Sequence, residues 1–595
     1  MREYAAPPTY QVPAVGNLTD DVVRNARDDA DRVVFSRKIG TGWEDVTAGR
    51  FLAEVAAAAK GLVAAGIEVG DRVAIISRTR YEWTLLDYAI WFAGAVTVPI
   101  YETSSADQID WILRDSGARA VVVESAAHLS RIAEVRAGLP ELREVWCLDE
   151  GAVALLTEHG AGVEDDLLEQ RRTSATPADM ATLIYTSGTT GRPKGCMLTH
   201  GNFMFELEVV LEEERPLFTE DAATLLFLPL AHVFARIIQV GCVKRAIRMG
   251  HSADIPNLTT DLQAFRPTFV LGVPRVFEKI FNTASQKATA EGKGRIFDRA
   301  AHVAIAWSRG LDRGRPSLAV RAQHAVFRRL VYRKLLDAVG GRCVYAISGG
   351  APLGDRLGHF YRGVGLTVLE GYGLTETTAA LAANRPDAVR IGSVGRPIAG
   401  TAVRVADDGE LLFRGGQVFA GYWNNEEATA EALEPDGWFH TGDIGEIDDE
   451  GFVRITGRKK EIIVTAGGKN VAPAVLEDRL RAHALISQCM VVGDGRPFIG
   501  ALVTIDPEVF GPWAEQHGKA GPLADLVDDP DLNSVVALAV AEANKAVSKA
   551  ESIRKFAILP VDWTEESGQL TPSLKLKRNV VMREFKDDVA ALYLP

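Results

Sequence analysis

The stretch Thr-Ser-Gly-Thr-Thr-Gly-Arg-Pro-Lys-Gly, residues 186–195, decides the fold of this chain. Its glycines let the backbone approach a ligand closely, and its four hydroxyl side chains and two cations can donate hydrogen bonds to a phosphate chain. Apolar, β-prone segments at 181–185 and 196–200 flank it, so we predict a loop between two strands. A Walker loop opens directly into a helix, which Pro193 and Gly195 on either side of the lysine disfavour. An ordinary surface turn is the alternative, and the order of the residues argues against it.

The order of residues in this loop resembles the phosphate-binding motif of the adenylate-forming superfamily. That superfamily includes acyl-CoA synthetases, luciferases and peptide-synthetase adenylation domains. The resemblance implies that ATP or AMP binds to Thr186, Ser187, Gly188, Thr189, Thr190, Gly191 and Lys194. Other motifs typical of the superfamily follow in the same order between about Val46 and Arg578.

The chain has 595 residues, more than one hydrophobic core usually supports, so we expect at least two domains. Strand and helix patterns alternate from residue 72 to residue 148, as in a sheet covered by helices on both faces. Together with the resemblance, this predicts an α/β fold. A large N-terminal domain of layered α/β subdomains plus a β-barrel-like subdomain precedes a small, mobile α+β C-terminal domain. We place the adenylation domain, which binds ATP and the acyl group, at residues 1–456 and the lid domain at 457–595.

Composition excludes several classes of function. A net charge of −13 argues against a nucleic-acid partner, since binding many phosphates needs a cationic face. The five cysteines form no C-x-x-C pair, which predicts buried thiols, no zinc site and a reducing compartment. No apolar signal segment opens the sequence. Pro229, His232 and Arg236 interrupt the apolar stretch 224–243, which favours a core strand and helix over a membrane span. We therefore expect a cytoplasmic protein.

Two apolar segments, 344–347 and 368–370, each end in a glycine-rich loop. Such loops at the carboxyl ends of neighbouring strands form the crevice in which open α/β folds bind ligands. We assign ATP or AMP binding to Gly349, Gly350, Ala351, Gly371, Tyr372 and Gly373, with the tyrosine ring as a stacking face. Thr375 can donate to a phosphate, and Glu376 offers a hard oxygen ligand for the Mg²⁺ of ATP. A plain surface carboxylate is the alternative for Glu376, and the surrounding motif favours the metal role.

Further motifs extend the nucleotide site toward the C-terminus. Asp443 follows a Thr-Gly turn, where its carboxylate can accept hydrogen bonds from both ribose hydroxyls. The resemblance assigns Arg458 to the ribose, Lys460 to a hinge between the domains, and the turn with Gly467 and Gly468 to a coenzyme A tunnel. An exposed basic turn is the alternative for residues 457–461.

The acyl substrate is expected near the apolar run 225–236. A histidine inside such a run is usually a satisfied core residue, but the superfamily places a histidine or aromatic residue here beside the acyl group, which makes His232 a candidate. Segment 270–280 is predicted to be a strand entering a helix and resembles the one that lines the fatty-acyl tunnel of long-chain synthetases. The acyl-binding residues implied are Val273, Phe277 and Gly349, with Phe277 at a gate position where relatives often carry Trp.

Residues 282–338 form a helical, arginine-rich segment. A solvated helical face explains most of this charge. The alternative is a surface that meets an anionic membrane, where a fatty acid would be collected. The length of the segment also resembles the long-chain branch of the superfamily.

The catalytic lysine of the superfamily lies near the C-terminus in a Thr/Ser-Gly-Lys context. Here Leu574 replaces that glycine, and Lys575 aligns best because Arg578 then falls where the superfamily has its arginine. Lys577 is the competing candidate.

The predicted function is that of a long-chain fatty acyl-CoA synthetase. Mg²⁺ held near Glu376, the donors of the 186–195 loop, Thr375 and Lys575 would neutralise charge on the α-phosphate of ATP while an acyl-adenylate forms and pyrophosphate leaves. Coenzyme A would then attack the adenylate as a thiol after the lid rotates. One alternative is a fatty acyl-AMP ligase that passes the adenylate to a carrier protein. Another is a non-catalytic acyl- or nucleotide-binding protein. The expected partners are fatty acid, ATP and CoA; peripheral contact with the inner face of a membrane and a homodimer stay open as alternatives.

Overall fold

The computed structural model describes residues 1–40, 42–186, 192–571 and 575–594. The first part of the chain alternates between strands and helices. Its elements are β1 (Glu3–Ala5), α1 (Asp20–Asp28), β2 (Val33–Ile39), β3 (Gly42–Thr47), α2 (Ala48–Ala64), β4 (Arg72–Ile76), α3 (Tyr81–Phe92), β5 (Val96–Ile100), α4 (Ala106–Ser116), β6 (Ala120–Val123), α5 (Ala126–Val135), β7 (Glu144–Cys147), α6 (Ala152–His159), α7 (Asp165–Arg172), β8 (Met180–Thr186), β9 (Lys194–Thr199) and α8 (His200–Glu213).

These elements build a largely parallel sheet of strand order β7-β6-β4-β5-β8-β9. Only β9 runs antiparallel to its neighbour, because β8 and β9 form a hairpin that pairs Thr186 with Lys194. The prediction that the 186–195 loop joins two strands is therefore confirmed.

The middle of the chain adds its first two strands to a sheet with β2 and β3 and forms a further sheet from its last five strands. Its elements are β10 (Ala223–Leu226), α9 (Val233–Lys244), β11 (Arg248–His251), α10 (Leu258–Phe265), β12 (Phe269–Gly272), α11 (Pro274–Ala290), α12 (Gly294–Asp312), α13 (Leu318–Phe327), α14 (Arg333–Ala338), β13 (Tyr345–Ser348), α15 (Asp355–Val364), β14 (Thr367–Tyr372), β15 (Ala382–Ala383) and β16 (Arg396–Pro397). Strands β12, β13 and β14 are parallel neighbours, so the loops after their carboxyl ends lie at one edge. This edge is the predicted crevice.

The predicted β-barrel-like subdomain corresponds to an antiparallel sheet of order β1-β17-β18-β19-β20. Its remaining elements are β17 (Ala402–Val405), β18 (Glu410–Arg414), α16 (Glu426–Ala432), β19 (Phe439–Ile447) and β20 (Val453–Arg458). A small core that includes Val403, Leu411, Phe413 and Val453 holds it together. The hairpin register places Asp443 on β19 opposite Arg458 on β20.

The C-terminal part has its own sheet and core. Its elements are β21 (Ile463–Val464), β22 (Asn470–Val471), α17 (Pro473–Arg481), β23 (Ile486–Val492), β24 (Ile499–Ile505), α18 (Pro507–Gln516), α19 (Leu523–Leu526), α20 (Pro530–Asn544), β25 (Ile553–Ile558), α21 (Arg578–Glu584) and α22 (Lys586–Ala591). Residues 507–544 form three separate helices, α18, α19 and α20. Gly518, with φ of +64°, lies in the first break, and Pro530 begins the last helix.

A buried ion pair joins helices α3 and α9. Arg236 on α9 and Asp87 on α3 are both 0% exposed, and their Nη2 and Oδ1 atoms lie 2.5 Å apart. Thr97 and Gln239 donate further hydrogen bonds to the same carboxylate, so this buried charge pair is well satisfied. The apolar run 224–243 is thus a core strand and helix, as predicted, and no helix among the described residues has the length and apolar character to cross a membrane.

Candidate active site

A cavity of about 3160 Å³ opens at the edge formed by β12, β13 and β14. Its lining combines residues of most of the predicted motifs. They are Thr186, Lys194, His232, Val273, Gly349, Gly350, Ala351, Gly371, Tyr372, Gly373, Thr375, Glu376, Asp443, Arg458, Lys460 and Lys575. Residues that are more than 380 positions apart in the sequence therefore share one space.

Asp443 is the centre of a polar cluster on one wall. The Tyr372 hydroxyl donates to its Oδ2 at 2.6 Å, and the Nε atom of Arg458 lies 3.1 Å from its Oδ1. The Thr441 hydroxyl accepts the Asp443 backbone N–H at 3.0 Å, which fixes the turn. Burial and the adjacent carboxylate raise the pKa of the Tyr372 phenol well above its ordinary value, so it stays a hydrogen-bond donor. A carboxylate held in this way can accept the hydroxyls of a ribose.

Glu376 lies in a short 3₁₀ turn that follows β14. Its Oε1 atom accepts a 2.8 Å hydrogen bond from the Tyr422 hydroxyl, and the Nζ of Lys194 lies 5.0 Å from the centre of the same tyrosine ring. Mg²⁺ is usually held through one or two carboxylates together with substrate phosphates. A carboxylate beside the phosphate-loop lysine fits an ion that arrives with ATP.

Tyr422 was not assigned a role from the sequence. It lies 46 positions after Glu376, and no local pattern signals that the two side chains meet. Its contacts with a metal candidate and a phosphate-loop cation make it a candidate site residue that the sequence did not indicate. The only local signal is an aromatic residue directly after Gly421 in a loop.

The phosphate loop itself is described only at its ends. Ser187, Gly188, Thr189, Thr190 and Gly191 lie outside the described residues. At the far end, the Trp111 indole N–H donates to the Pro193 carbonyl at 2.9 Å, and the Arg192 guanidinium lies 4.5 Å from the centre of that indole. These contacts anchor the return of the loop into β9.

Lys575 enters the cavity from the C-terminal part of the chain. Its Cε atom lies 4.0 Å from the position that a Cβ on Gly350 would occupy, a glycine with φ of +83°. Burial and the Arg458 guanidinium lower the pKa of Lys575, while the carboxylates of Asp443 and Glu376 oppose the shift. The structure thus brings Lys575 together with the predicted nucleotide residues.

Ion pairs of Arg578 anchor the residues that follow Lys575. The Thr571 backbone N–H donates to the Lys575 carbonyl at 2.8 Å. Arg578 donates to Glu477 at 2.5 Å and lies 3.3 Å from Glu461. The competing lysine, Lys577, also lines the cavity, and its backbone N–H donates to the Gln569 carbonyl.

The predicted acyl side adjoins Lys575. His232 caps α9, because its Nδ1 accepts the Phe234 backbone N–H at 3.2 Å. Burial and the positive charge of Lys575 lower the pKa of His232 to about 3, so the ring is neutral near pH 7. A Cβ on Gly349 would lie 2.9 Å from the Phe234 ring, so the glycine allows that ring to approach the loop. Val273 lies where β12 passes into α11 and also lines the cavity.

The position of Phe277 differs from the prediction. Its side chain is 1% exposed and packs edge to face on Tyr361, with ring centres 5.6 Å apart. It is absent from the cavity lining of the described residues, because its ring packs into the core. Val276, Ile280, Ala284 and Ala288 of the same helix line the cavity.

Among the described residues, the predicted hinge residue lines the same cavity as Lys575, whereas the predicted coenzyme A turn does not. Lys460 is exposed in a one-turn helix between β20 and β21, at the cavity margin. Gly467 and Gly468 form an exposed turn between β21 and β22 and do not line the cavity of the described residues. In this arrangement Lys575, and not the turn at Gly467 and Gly468, lines the cavity together with the predicted nucleotide residues that the structure describes.

The chain belongs to the AMP-binding enzymes. Residues 22–423 match the AMP-binding enzyme family, and residues 460–594 match the AMP-binding enzyme C-terminal domain. Among curated relatives, the long-chain-fatty-acid–CoA ligase FadD15 of Mycobacterium bovis is 54% identical over 598 residues, which cover 100% of both chains. The long-chain-fatty-acid–CoA ligase ACSBG2 of Xenopus laevis is 32% identical and covers 95% of this chain and 82% of its own.

Solved structures agree on the fold. ATP-bound MatB from Rhodopseudomonas palustris superposes with a TM-score of 0.72 at 24% identity, covering 96% of this chain and 100% of its own. The AMP complex of the A-PCP didomain of a carboxylic acid reductase from Segniliparus rugosus gives a TM-score of 0.75 at 21% identity. The match covers 99% of this chain and 84% of the didomain. The α/β adenylate-forming fold with a large N-terminal part and a small C-terminal domain is thereby confirmed.

Proposed function

We propose that this protein is a long-chain fatty acid:CoA ligase that forms AMP. It activates the acid with ATP and Mg²⁺, releases pyrophosphate and transfers the acyl group to coenzyme A. The observation that supports this most directly is the convergence of Lys575, the Asp443–Arg458 pair and Glu376 beside an apolar cavity. The 54% identity to FadD15 over the full chain supports coenzyme A as the acceptor and long-chain fatty acids as the substrate class.

The first step joins two anions, the fatty acid carboxylate and the α-phosphate. The Lys575 ammonium, which reaches the Gly350 loop and is influenced by the charge of Glu376, would stabilise the negative charge that develops on the phosphate. Mg²⁺ bound with ATP supplies further positive charge to the phosphate oxygens. Asp443 and Arg458 would hold the ribose, and Tyr372 would offer its ring to the adenine. The neutral His232 and Gly349 would border the acyl carbonyl.

The second step requires a different position of the C-terminal part. With Lys575 in the cavity and the turn at Gly467 and Gly468 outside it, this structure has the arrangement suited to adenylate formation. Rotation about Lys460 would withdraw the lysine and bring the glycine turn to the site, where it would admit coenzyme A.

The division at residues 456 and 457 is part of this proposal. Two observations support it: the family matches end at 423 and resume at 460, and the sheet β23-β24-β25 packs on a core of its own. Rotation at Lys460 would then move a body that is already independently packed.

We also propose a cytoplasmic protein that contacts a membrane peripherally. Exposed apolar side chains lie among exposed arginines on α12 and α13 and their flanks, namely Ile296, Leu311, Leu318, Val326 and Leu330 with Arg313, Arg315 and Arg321. Ile296 and Leu330 also line the cavity, which would let a fatty acid enter from the lipid side. Flotation with anionic vesicles tests this, and the double variant Leu318→Asp, Leu330→Asp should lose flotation.

Pyrophosphate release with acids from acetate to hexadecanoate, with and without CoA, tests the main proposal. CoA-dependent turnover that favours long chains is expected. Adenylate accumulation that ignores CoA would instead indicate an acyl-AMP ligase with a carrier protein as acceptor. No pyrophosphate release with any acid would contradict both the CoA ligase and the acyl-AMP ligase and would favour a non-catalytic binding protein.

A further inference from the structure

The cavity extends from the first turn of α9 into an apolar space between α8 and α9. Its lining there includes Leu207, Val210, Leu211, Phe218, Ile237 and Ile238, which we call the α8–α9 channel. Phe234, whose ring approaches Gly349, stands where this channel meets the nucleotide site. The channel is therefore continuous with the proposed acyl site.

Two carboxyl groups interrupt this apolar lining. Glu206 is 1% exposed and Glu214 is 4% exposed, and both line the cavity. They are eight positions apart, which corresponds to about 12 Å along a helix axis. Glu206 accepts the Ala380 backbone N–H at 2.8 Å through Oε1, which places it at the end nearer the 371–379 loop. Glu214 follows the last residue of α8 and marks the deeper end.

The Glu214 carboxyl has no hydrogen-bond or ion-pair partner among the side chains and backbone groups that the structure describes, and its Oε2 atom is fully buried. The nearest cation is already engaged: Arg385 donates to the neighbouring Glu213 at 3.0 Å. Glu213 also accepts the Ala399 backbone N–H at 3.2 Å. Of two adjacent glutamates, one is thus paired and the other lines the channel unpaired.

The surroundings of the Glu214 carboxyl favour its uncharged form. Burial, assisted by the negative charge of Glu213, raises its pKa to about 8. A protonated carboxyl has one O–H donor and free acceptor sites. An unmet donor in an apolar channel is costly, whereas a hydroxyl or carbonyl oxygen opposite it would satisfy it.

We propose that the α8–α9 channel accepts acyl chains that carry an oxygen function, a hydroxyl or a keto group, at the depth of the Glu214 carboxyl. This inference rests on the proposed function, because it concerns the acyl chain of the same reaction. An unsubstituted chain leaves the Glu214 donor unmet, while a chain with oxygen at the matching carbon meets it. Glu214 therefore determines specificity and takes no part in the chemistry.

The test compares hexadecanoate with hydroxyhexadecanoates substituted at successive carbons, using the full chain, ATP, Mg²⁺ and CoA. We expect one range of positions to show a kcat/KM about tenfold above that of hexadecanoate, the effect of one satisfied buried donor. Glu214→Leu should abolish this preference, and Glu214→Gln, which keeps a donor and an acceptor, should retain it. Glu212→Gln is the matched control, since that side chain is 57% exposed on the same helix.

The outcomes separate the two proposals. Equal or poorer use of every hydroxylated isomer by the wild type, with hexadecanoate still turned over, overturns this inference alone. Persistence of the preference in Glu214→Leu overturns it as well. No turnover of any acid overturns the proposed function and this inference with it. If Glu214→Leu does not fold, the comparison of hexadecanoate with hydroxyhexadecanoates in the wild type still tests the inference.

Discussion

The Tyr422 hydroxyl donates a 2.8 Å hydrogen bond to Glu376, while the ring of the same tyrosine lies 5.0 Å from the Lys194 ammonium. One side chain thus connects the carboxylate proposed for Mg²⁺ with the cation at the end of the phosphate loop. The orientation of Glu376 depends on this contact, because its backbone turn alone leaves the carboxylate free to rotate.

Tyr422→Phe keeps the ring and removes the hydrogen bond to Glu376. We expect adenylation to fall about tenfold, with a higher Mg²⁺ concentration needed for half-maximal rate, since a hydrogen bond to a charged group contributes about 1.5–3 kcal/mol. Pyrophosphate release across a Mg²⁺ titration measures this. Tyr4→Phe, in the small antiparallel core away from the cavity lining, is the control. An unchanged Mg²⁺ dependence would contradict a role for Tyr422 in positioning Glu376 for Mg²⁺.

Lys575→Ala removes the ammonium that reaches Gly350. Adenylate formation should fall by roughly 10² to 10³, the scale of one donor to a transition state. Transfer to CoA from supplied acyl-adenylate should survive, because the proposed rotation withdraws this lysine before that step. Lys577→Ala tests the competing lysine and should leave adenylation within about twofold. Equal losses in both half-reactions of Lys575→Ala would contradict the assignment.

Gly349→Ala introduces a Cβ that would stand 2.9 Å from the Phe234 ring. The ring must move toward the α8–α9 channel, so we expect KM for the fatty acid to rise about tenfold while KM for ATP stays near its original value. Steady-state kinetics with each substrate varied in turn measures the two constants. Gly511→Ala is the control, since an added Cβ there meets no atom within 4 Å. An increase only in KM for ATP would assign Gly349 to the nucleotide site instead of the acyl site.

The buried His232 should make stability depend on pH. Its pKa is about 3 in the folded chain against 6.5 when unperturbed, so the unfolded state binds more protons between these values. The free energy of unfolding therefore falls as pH falls from 6.5, by about 1.4 kcal/mol per pH unit for this one group. His232→Gln should show a correspondingly shallower pH dependence in denaturant titrations. His302→Gln, on the exposed side of α12, should keep the wild-type dependence.

Short-range motifs explain why much of the site could be predicted from the sequence. Asp443 and Arg458 belong to adjacent strands of one hairpin. Gly350 follows β13 and Tyr372 ends β14, its parallel neighbour, so local patterns and strand order place them together. Gly518 and Pro530 lie at the breaks between α18, α19 and α20, a local signal that the sequence carries.

Long-range packing explains what could not be predicted. The burial of Phe277 depends on Tyr361, which lies 84 positions later and whose hydroxyl donates to the Phe277 carbonyl. The Tyr422–Glu376 contact likewise forms between distant loops. The lone carboxyl of Glu214 looks like part of a solvated acidic run in the sequence, and only the fold shows that Glu213 and Glu214 have different environments.

The buried pair of Asp87 and Arg236 constrains how this enzyme can diverge. Neither side chain is exposed, and loss of one partner would strand a charge in the interior at a cost of about 3–5 kcal/mol. The two positions, 149 residues apart, should therefore change together among descendants of this chain. Because Arg236 lies one turn beyond the cap at His232, a lineage that exchanges the pair for apolar residues would also gain freedom to remodel the acyl entrance.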